Sequence, residues 1–483
     1  MRMTEPLFRR VPRAEPQGLA AKRVLVLGLG ETGLSVARWV SRQGGRPIVA
    51  DNRTTPPRAQ ALAALVPDAS LRLGPFSPKL LSGIDLLAIS PGLALTEAVV
   101  QVALREDIPV VGEIELFAWH VRTHDACQIL AVTGTNGKTT TTALTGAMLR
   151  ADGRDCEVAG NIGPSALDAL MARIDSGNPA STWVLELSSY QLETTWSLEP
   201  DAAAMLNLSE DHFDRHAGFE DYGAAKARIF FGQGAQVLNR DDARSIGLRL
   251  PGRECVTFGS GAPACDEDYG LRKIRGEYWL SQGSNAFFNT AALNILGAHN
   301  ISNALAACAL ARFAGASFSA LVEGLRTFPG LPHRMQRVAK RKGVVWFDDS
   351  KGTNIGAALA ALEGSAAIMN PAAPAGKALL ILGGEGKGQD FSRLVNAVSR
   401  YASRVILIGR DAAVIESALA PSGVTLVRSR SLEDAVRHAD QHARPGDRVL
   451  LSPACASFDM FRDYAHRGES FVAAVRALDD RDT

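Results

Sequence analysis

The 483-residue chain lacks the marks of an oxidising or lipid environment. Its six cysteines (Cys127, Cys156, Cys255, Cys265, Cys308 and Cys455) are scattered and never form a C-x-x-C pair. That spacing argues against a disulfide framework and against a cysteine zinc site. No apolar run approaches the ~20 residues a membrane-spanning helix needs. The N-terminus, with Arg9, Arg10 and Arg13, lacks the apolar core of a secretory signal and reads as a flexible leader over residues 1–20. Lys and Arg number 52 against 51 Asp and Glu, so no basic surplus points to nucleic acid and no acidic tail is present. There is no internal repeat. The expectation is a cytoplasmic enzyme of about three domains, at roughly 150 residues each, monomeric by default, with small-molecule partners and no membrane insertion.

What is present is a regular alternation of apolar strands and helical stretches, the pattern of α/β domains with mostly parallel sheets. A first Rossmann-like unit begins at Arg23-Val24-Leu25-Val26-Leu27 and ends near residue 111. Glu113 to Phe117 opens a helical connector into a second, P-loop-like region, expected over 112–330. The Pro-Gly-Leu-Pro run at 329–332 breaks the pattern, and a third, again Rossmann-like, region is expected over 331–483. Its strands fall near Val344–Phe347, Leu379–Leu382, Val405–Ile408, Val424–Val427 and Val449–Leu451, and the Ala/Pro-rich stretch 368–376 reads as a loop.

The most informative residues are Gly134-Thr135-Asn136-Gly137-Lys138-Thr139-Thr140, between the strand Ile129–Val132 and a helix expected over Thr141–Arg150. Two glycines let successive N–H groups face one hollow. Lys138 adds a point charge, Thr139 a hydroxyl within reach of Mg²⁺, and the helix start its partial positive charge. That is a triphosphate cradle. Position 132 is Val rather than the first Gly of the usual G-x-x-x-x-G-K-[ST] loop.

Near the start, Gly28-Leu29-Gly30-Glu31-Thr32-Gly33 follows a strand, and Asp51 ends the next one. The spacing fits a dinucleotide fingerprint. It says only that backbone approaches a diphosphate, which UDP carries as well as NAD. In the centre, Glu186 is the one acid of the apolar strand Trp183–Leu187. An acid there is costly unless paired or metal-bound, and Mg²⁺ accepts such a donor.

Ordered strings along the chain resemble the Mur ligases, whose folylpolyglutamate synthetase relatives share the T-G-T-N-G-K-T-T loop. They include Gly160-Asn161-Ile162-Gly163, Leu185 to Glu193, Asn207 to His216, Gly297 to Ala304, Leu331-Pro332-His333-Arg334 and Asp348 to Asn354. In the third region Leu382 to Phe391 and Leu451 to Phe461 resemble the members that add glutamate, apart from Phe458 and Tyr464, where relatives often carry Leu and Phe. The resemblance implies an ATP-dependent ligase joining D-glutamate to UDP-N-acetylmuramoyl-L-alanine. It implies ATP contacts from residues 134–140, Asn300, Asn303, Arg334, Asp349 and Lys351. UDP-substrate contacts would come from Gly30, Glu31, Thr32, Asp51, Asn52, Arg53, Ser90, Gly92, Asn161 and His212. Glutamate would be held by Thr353, Lys387, Ser457 and Phe458. It further implies Mg²⁺, in two sites, on Thr139, Glu186, His212 and a Lys226 carbamylated with CO₂. Lys138, Glu186, His212 and Lys226 would be the catalytic set.

Overall fold

The computed structural model of the protein describes residues 12–211, 215–295, 297–367 and 376–478. Three sheets account for its strands. The first joins β1 (Arg23–Leu27), β2 (Arg46–Asp51), β3 (Ser70–Leu73), β4 (Leu86–Ile89) and β5 (Val110–Val111) in the order β3-β2-β1-β4-β5. All its neighbours are parallel. The strand order reverses between β1 and β4, so the turns after these two strands flank a crevice, where open α/β sheets bind ligands.

The second sheet contains β6 (Gln128–Thr133), β7 (Cys156–Gly160), β8 (Thr182–Glu186), β9 (Ala202–Met205), β10 (Ala235–Asn239), β11 (Cys255–Phe258), β12 (Tyr269–Ile274), β13 (Glu277–Gln282) and β14 (Asn285–Asn289). Its order is β14-β13-β12-β11-β10-β9-β6-β8-β7, parallel from β7 to β12 and antiparallel between β12 and β13. Strands β8 and β9 are buried at every position, as strands covered on both faces must be. The third sheet orders β15 (Gln336–Arg341), β16 (Val344–Asp348), β17 (Ala378–Gly383), β18 (Ala402–Ile408), β19 (Thr425–Arg428) and β20 (Arg448–Leu451) as β15-β16-β20-β17-β18-β19. Only the edge strand β15 runs antiparallel to its neighbour.

The chain forms two compact units. One holds the first two sheets, up to Phe288, with Asn303–Leu325; the other holds Asn289–Ser302 and the chain from Arg326 onward. In the first unit the helix Glu113–His124 leaves β5 directly and carries buried residues on every side. Ile114, Phe117 and Val121 share one core with Trp39 and Val40 of the opening unit and with Leu167, Trp183 and Leu185 of the next. Ala14 and Leu19, within the expected leader, are buried in the same core.

Helix and strand positions follow the sequence pattern with small shifts. The phosphate-loop helix starts earlier, at Lys138, and runs to Ala151. Lys226 lies on an α-helix at Phe219–Ala227, followed by a 3₁₀ turn at Arg228–Phe230. The expected loop at 368–376 lies almost wholly outside the described residues.

One buried acid ties this core together. Glu115 is fully buried and accepts from Trp119 Nε1 (2.9 Å), Trp196 N (2.6 Å), Ser197 N (3.0 Å) and Ser197 Oγ (2.7 Å). Four donors facing one carboxylate make it acceptor-only, so an amide would turn an NH₂ toward N–H groups. Glu115→Gln is expected to lower unfolding free energy by about 1–3 kcal/mol, read by urea titration of the folded variant against wild type.

Candidate active site

The loop after β6 is shaped by two left-handed positions, Gly134 (φ 151°) and Gly137 (φ 87°). A side chain at Gly137 would collide with Asn303 Oδ1, 2.1 Å from the place of its Cβ. Glycine there is therefore required both for conformation and for close approach. Asn207, from the turn after β9, holds the loop open: its carbonyl accepts Thr135 N (2.9 Å), its Oδ1 accepts Asn136 N (2.8 Å), and its Nδ2 donates to Asn136 O (3.0 Å). Lys138 Nζ donates to the carbonyls of Gly134 and Thr135, both at 2.9 Å. Strand, tight loop, lysine and helix start converge as a phosphate cradle requires.

Beside the cradle lies a buried amine. Lys226, 2% exposed, donates from Nζ to Gly134 O (2.8 Å) and to Thr133 Oγ1 (3.4 Å), with the Tyr222 ring 4.8 Å away. Burial first, and then the nearby Lys138 charge, push this amine well below the ordinary lysine range, while Asp211 and Glu186 pull it back. The amine therefore faces a like charge in a desolvated place rather than standing as a solvated surface cation.

Glu186 ends β8 and is 1% exposed. Its Oε1 accepts Asn161 Nδ2 at 2.6 Å, and Asn161 N donates to the Glu186 carbonyl at 2.8 Å. Its Oε2 is buried without a hydrogen-bond partner. An orphaned carboxylate oxygen is expensive, and a hard cation is the chemistry that relieves it. With Thr139 beside Lys138, the donor set suits Mg²⁺. Among the described residues no three His, Cys, Asp or Glu side chains gather as a metal site. His212 lies outside the described residues, and Lys226 is not an acid as translated.

The dinucleotide-like turn of the first sheet is also formed. Gly33 packs so closely on the turn that a Cβ would lie 1.8 Å from Gly28 O, and Ser90 Oγ donates to the same carbonyl at 3.2 Å. Asp51, however, is fully engaged. Its Oδ2 accepts Leu29 N (2.7 Å) and Arg53 Nη2 (2.7 Å), and its Oδ1 accepts Arg53 N (2.9 Å) and Nε (2.8 Å). The Arg53 side chain is the main cause that holds the Asp51 carboxyl down at about 2. A nicotinamide cofactor would want that carboxylate for its ribose hydroxyls; here it orients an arginine, a better partner for phosphate. Glu31 pairs with Arg58 at the same rim. Behind this turn a narrow cleft is lined by Ser90, Pro91, Glu113, Tyr190, Gln191 and Arg215.

In the second unit, loops at the ends of β16, β17 and β20 come together. An antiparallel bridge joins Glu385 to Ala456, and Gln389 reaches both Ala454 O (3.0 Å, from Nε2) and Ile355 N (3.0 Å, to Oε1). This brings Asp349, Lys351 and Thr353 into one loop cluster with Lys387, Ser457 and Phe458. Lys387 is exposed and Phe458 is 70% exposed, whereas Ser457 is buried. Lys351 Nζ sits 3.6 Å over the Tyr464 ring. Arg334 is close enough to Asp349 and His299 to act on their charges, and Asn300 is buried in the same unit. Asn303 belongs to the first unit, next to Gly137.

Sequence reasoning missed Arg467. It is 1% exposed and donates to Ser350 Oγ (3.0 Å), Ser350 O (2.8 Å) and Cys455 O (3.1 Å), pinning two of the loops. It lies 117 residues along the chain from Ser350 and 12 from Cys455, and no local pattern marked it. Burial brings its pKa down to about 10.

Comparison with known proteins agrees with this geometry. Residues 22–112 match the profile of the Mur ligase MurD-like N-terminal domain, 132–311 that of the Mur ligase middle domain, and 333–455 that of the Mur ligase glutamate ligase domain. The chain belongs to the Mur ligase family. Among relatives of this Mur ligase, the UDP-N-acetylmuramoylalanine–D-glutamate ligase of Nitrosospira multiformis is 51% identical, with 95% of this chain and 96% of the relative aligned. The enzyme of that name from Aromatoleum aromaticum is 50% identical, over 95% of this chain and 98% of the relative. Among solved structures, UDP-N-acetylmuramate–alanine ligase of Thermotoga maritima superposes with a TM-score of 0.60 at 19% identity, covering 94% of this chain and 99% of that one. MurF of Acinetobacter baumannii gives 0.59 at 18% identity, covering 95% and 94%. These likenesses establish a mixed α/β Mur ligase fold of three domains.

Asp349 yields a test of the loop cluster. Its Oδ1 accepts Met335 N (3.2 Å) and its Oδ2 Ser452 Oγ (2.7 Å), yet burial prevails and pushes the carboxyl up to about 7. The folded state thus holds this proton more tightly than the unfolded chain. The stabilisation is complete below the ordinary carboxylate pKa and is lost as pH rises through about 7. Asp349→Asn cannot titrate. The thermal midpoint of wild type relative to the variant is expected to fall between about pH 5 and pH 8, measured by ligand-free melts across that range.

Proposed function

We propose that this Mur ligase joins D-glutamate to the alanyl carboxylate of UDP-N-acetylmuramoyl-L-alanine at the expense of ATP, in the peptidoglycan precursor synthesis of the cytoplasm. Relatives bearing the corresponding name are 48–51% identical over 95% or more of the chain. The observation that carries the reading is the buried Lys226 amine seated on the Gly134 carbonyl of the phosphate loop, beside the orphaned Glu186 oxygen. A nucleotide-binding regulator needs the loop and has no use for the other two.

The chemistry follows from the reactants. A carboxylate carbon is electron-rich and oxide is not a leaving group, so an amine cannot displace it at neutral pH. Transfer of the γ-phosphoryl group from ATP to a carboxylate oxygen makes an acyl phosphate and ADP. The glutamate nitrogen then adds to the acyl carbon, loses a proton, and expels phosphate as the amide forms. Phosphoryl transfer asks mainly for alignment and charge neutralisation. Residues 134–140 cradle the triphosphate, with Lys138 on its β/γ end. Asn300 and Asn303 serve the adenine, and Arg334, Asp349 and Lys351 the nucleotide's phosphate side.

Mur ligases are ATP-dependent and use Mg²⁺. In this chain Thr139, Glu186, His212 and a carbamate on Lys226 would hold it, in two sites, and it would neutralise charge on the triphosphate. The carbamate arises when the Lys226 nitrogen bonds to the carbon of CO₂, one C=O π bond becomes C–O⁻, and the nitrogen releases a proton. An amine facing the cation site thereby becomes a pair of oxygen donors.

The acceptor's uridine diphosphate falls to Gly30, Glu31, Thr32, Asp51, Asn52, Arg53, Ser90 and Gly92, with Asn161 and His212 nearer its reacting end. Glutamate's carboxylates fall to Lys387, Thr353, Ser457 and the Phe458 segment. A cation with N–H and hydroxyl donors suits a dianion.

ADP release is the direct test. It is expected to require UDP-N-acetylmuramoyl-L-alanine together with D-glutamate, and not to respond to L-glutamate. In the same assay Lys226→Arg should keep its fold and lose turnover by several orders of magnitude, since a guanidinium keeps the charge and cannot form the adduct. ADP release independent of either co-substrate contradicts the reaction; wild-type turnover of Lys226→Arg at saturating Mg²⁺ contradicts the carbamate.

A further inference from the structure

Glu113 is a buried acid that the reaction as described does not use. It is the first residue of the helix leaving β5, and it is 3% exposed. Its Oε1 accepts Leu167 N at 2.8 Å, and its Oε2 is buried without a hydrogen-bond partner. Leu167 lies in the first turn of the helix Ala166–Asp175. A carboxylate at a helix start meets orphan N–H groups and the positive end of the helix dipole.

That helix start is held from three sides. Ser165 caps it through Asp168 N (3.2 Å) and also donates to Ser35 Oγ (2.8 Å) on the helix Glu31–Arg42. Arg38 of the same helix bonds Asp168 at 2.7 Å. Glu113 supplies the third hold, from the joint between the first sheet and the central one. Immediately before the capped turn comes Gly160-Asn161-Ile162-Gly163-Pro164, in which Gly160 N donates to Pro164 O (2.9 Å) and Asn161 reaches Glu186. A side chain on Gly160 would meet Glu186 O at 2.4 Å, so the segment tolerates little displacement. Glu113 also borders the cleft lined by Ser90, Tyr190 and Arg215.

We propose that Glu113 is a positioning residue for the ligase reaction: from the first-domain joint it holds the start of the helix Ala166–Asp175, and through the Asn161 segment it sets the orientation of Glu186 toward the acceptor's reacting end. The inference rests on the acceptor assignment made above. The charged form is the one that draws the helix N–H groups. Burial pushes the Glu113 carboxyl up to about 7, with Asp168 raising it further and the Leu167 and Ala166 N–H groups and Ser165 lowering it. The charged and titratable groups facing it are Asp168 on its own capped helix, Arg38 paired to that acid, and Tyr190 and Arg215 across the cleft.

Glu113→Gln keeps an oxygen for Leu167 N and removes the charge. In wild type, kcat/KM for UDP-N-acetylmuramoyl-L-alanine is expected to rise as pH passes through about 7, while the variant lacks that rise. Above that pH the variant's kcat/KM for the acceptor should be about tenfold lower, equivalent to ~1.4 kcal/mol, with the KM values for ATP and D-glutamate changed less than about twofold. If Glu113→Gln does not fold, Glu113→Asp goes to the same measurement and is expected to keep a rise displaced in pH. A folded variant with the wild-type pH profile, or equal losses for all three substrates, overturns the positioning role. Absence of acceptor- and glutamate-dependent ADP release by wild type would instead overturn the ligase reading itself.

Discussion

The structure depends on a lysine placed where a charged lysine does not belong. Lys226 is sealed among Thr133, Gly134 and Tyr222, next to a second lysine that the phosphate loop requires. Two cations sharing one buried site repel, and burial penalises each further. Burial and the Lys138 charge push this amine toward its uncharged form, which is a nucleophile. The same pocket contains the converse imbalance, a Glu186 oxygen with no donor to meet it. A cation between a carbamylated Lys226 and Glu186, as proposed for the reaction, would resolve both at once.

Holding those elements in register falls to the joint that follows β5. The helix Glu113–His124 shares one continuous core with the first sheet's Trp39 and the central sheet's Trp183. Its first turn carries two buried acids with different tasks. Glu115 is saturated by four donors and acts as a structural tie. Glu113 is only partly satisfied and faces a helix start whose preceding segment touches Glu186. The turns of the first sheet and the phosphate loop of the second thereby belong to one packed unit.

Local chemistry was largely legible in the sequence. Gly134 and Gly137 are glycines because the loop needs left-handed backbone, and that requirement shows as a motif. Glu186 stood out because one acid in an apolar strand has few explanations. The Gly28–Gly33 turn was ambiguous for a physical reason: a turn that admits a diphosphate does not say which nucleotide carries it. Arg53 bears on the ambiguity, since it occupies the Asp51 oxygens a nicotinamide ribose would use. What could not be read were contacts between residues distant in the chain. Arg467 clamps Ser350 and Cys455 from 117 and 12 residues away. Glu113 reaches Leu167 across 54 residues. Neither leaves a periodicity or a spacing, because both are products of sheet order rather than of local sequence.

In the proposed reaction the amine of Lys226 is consumed by CO₂ to complete a cation site beside the phosphate loop. The most direct measurement is ¹³C NMR of the folded protein equilibrated with ¹³C-bicarbonate, with and without Mg²⁺ and a nucleotide. One slowly exchanging carbamate resonance is expected that strengthens with Mg²⁺, is lost on acidification, and is absent from Lys226→Arg. A spectrum containing only free bicarbonate and CO₂, from protein active under the same conditions, would contradict it.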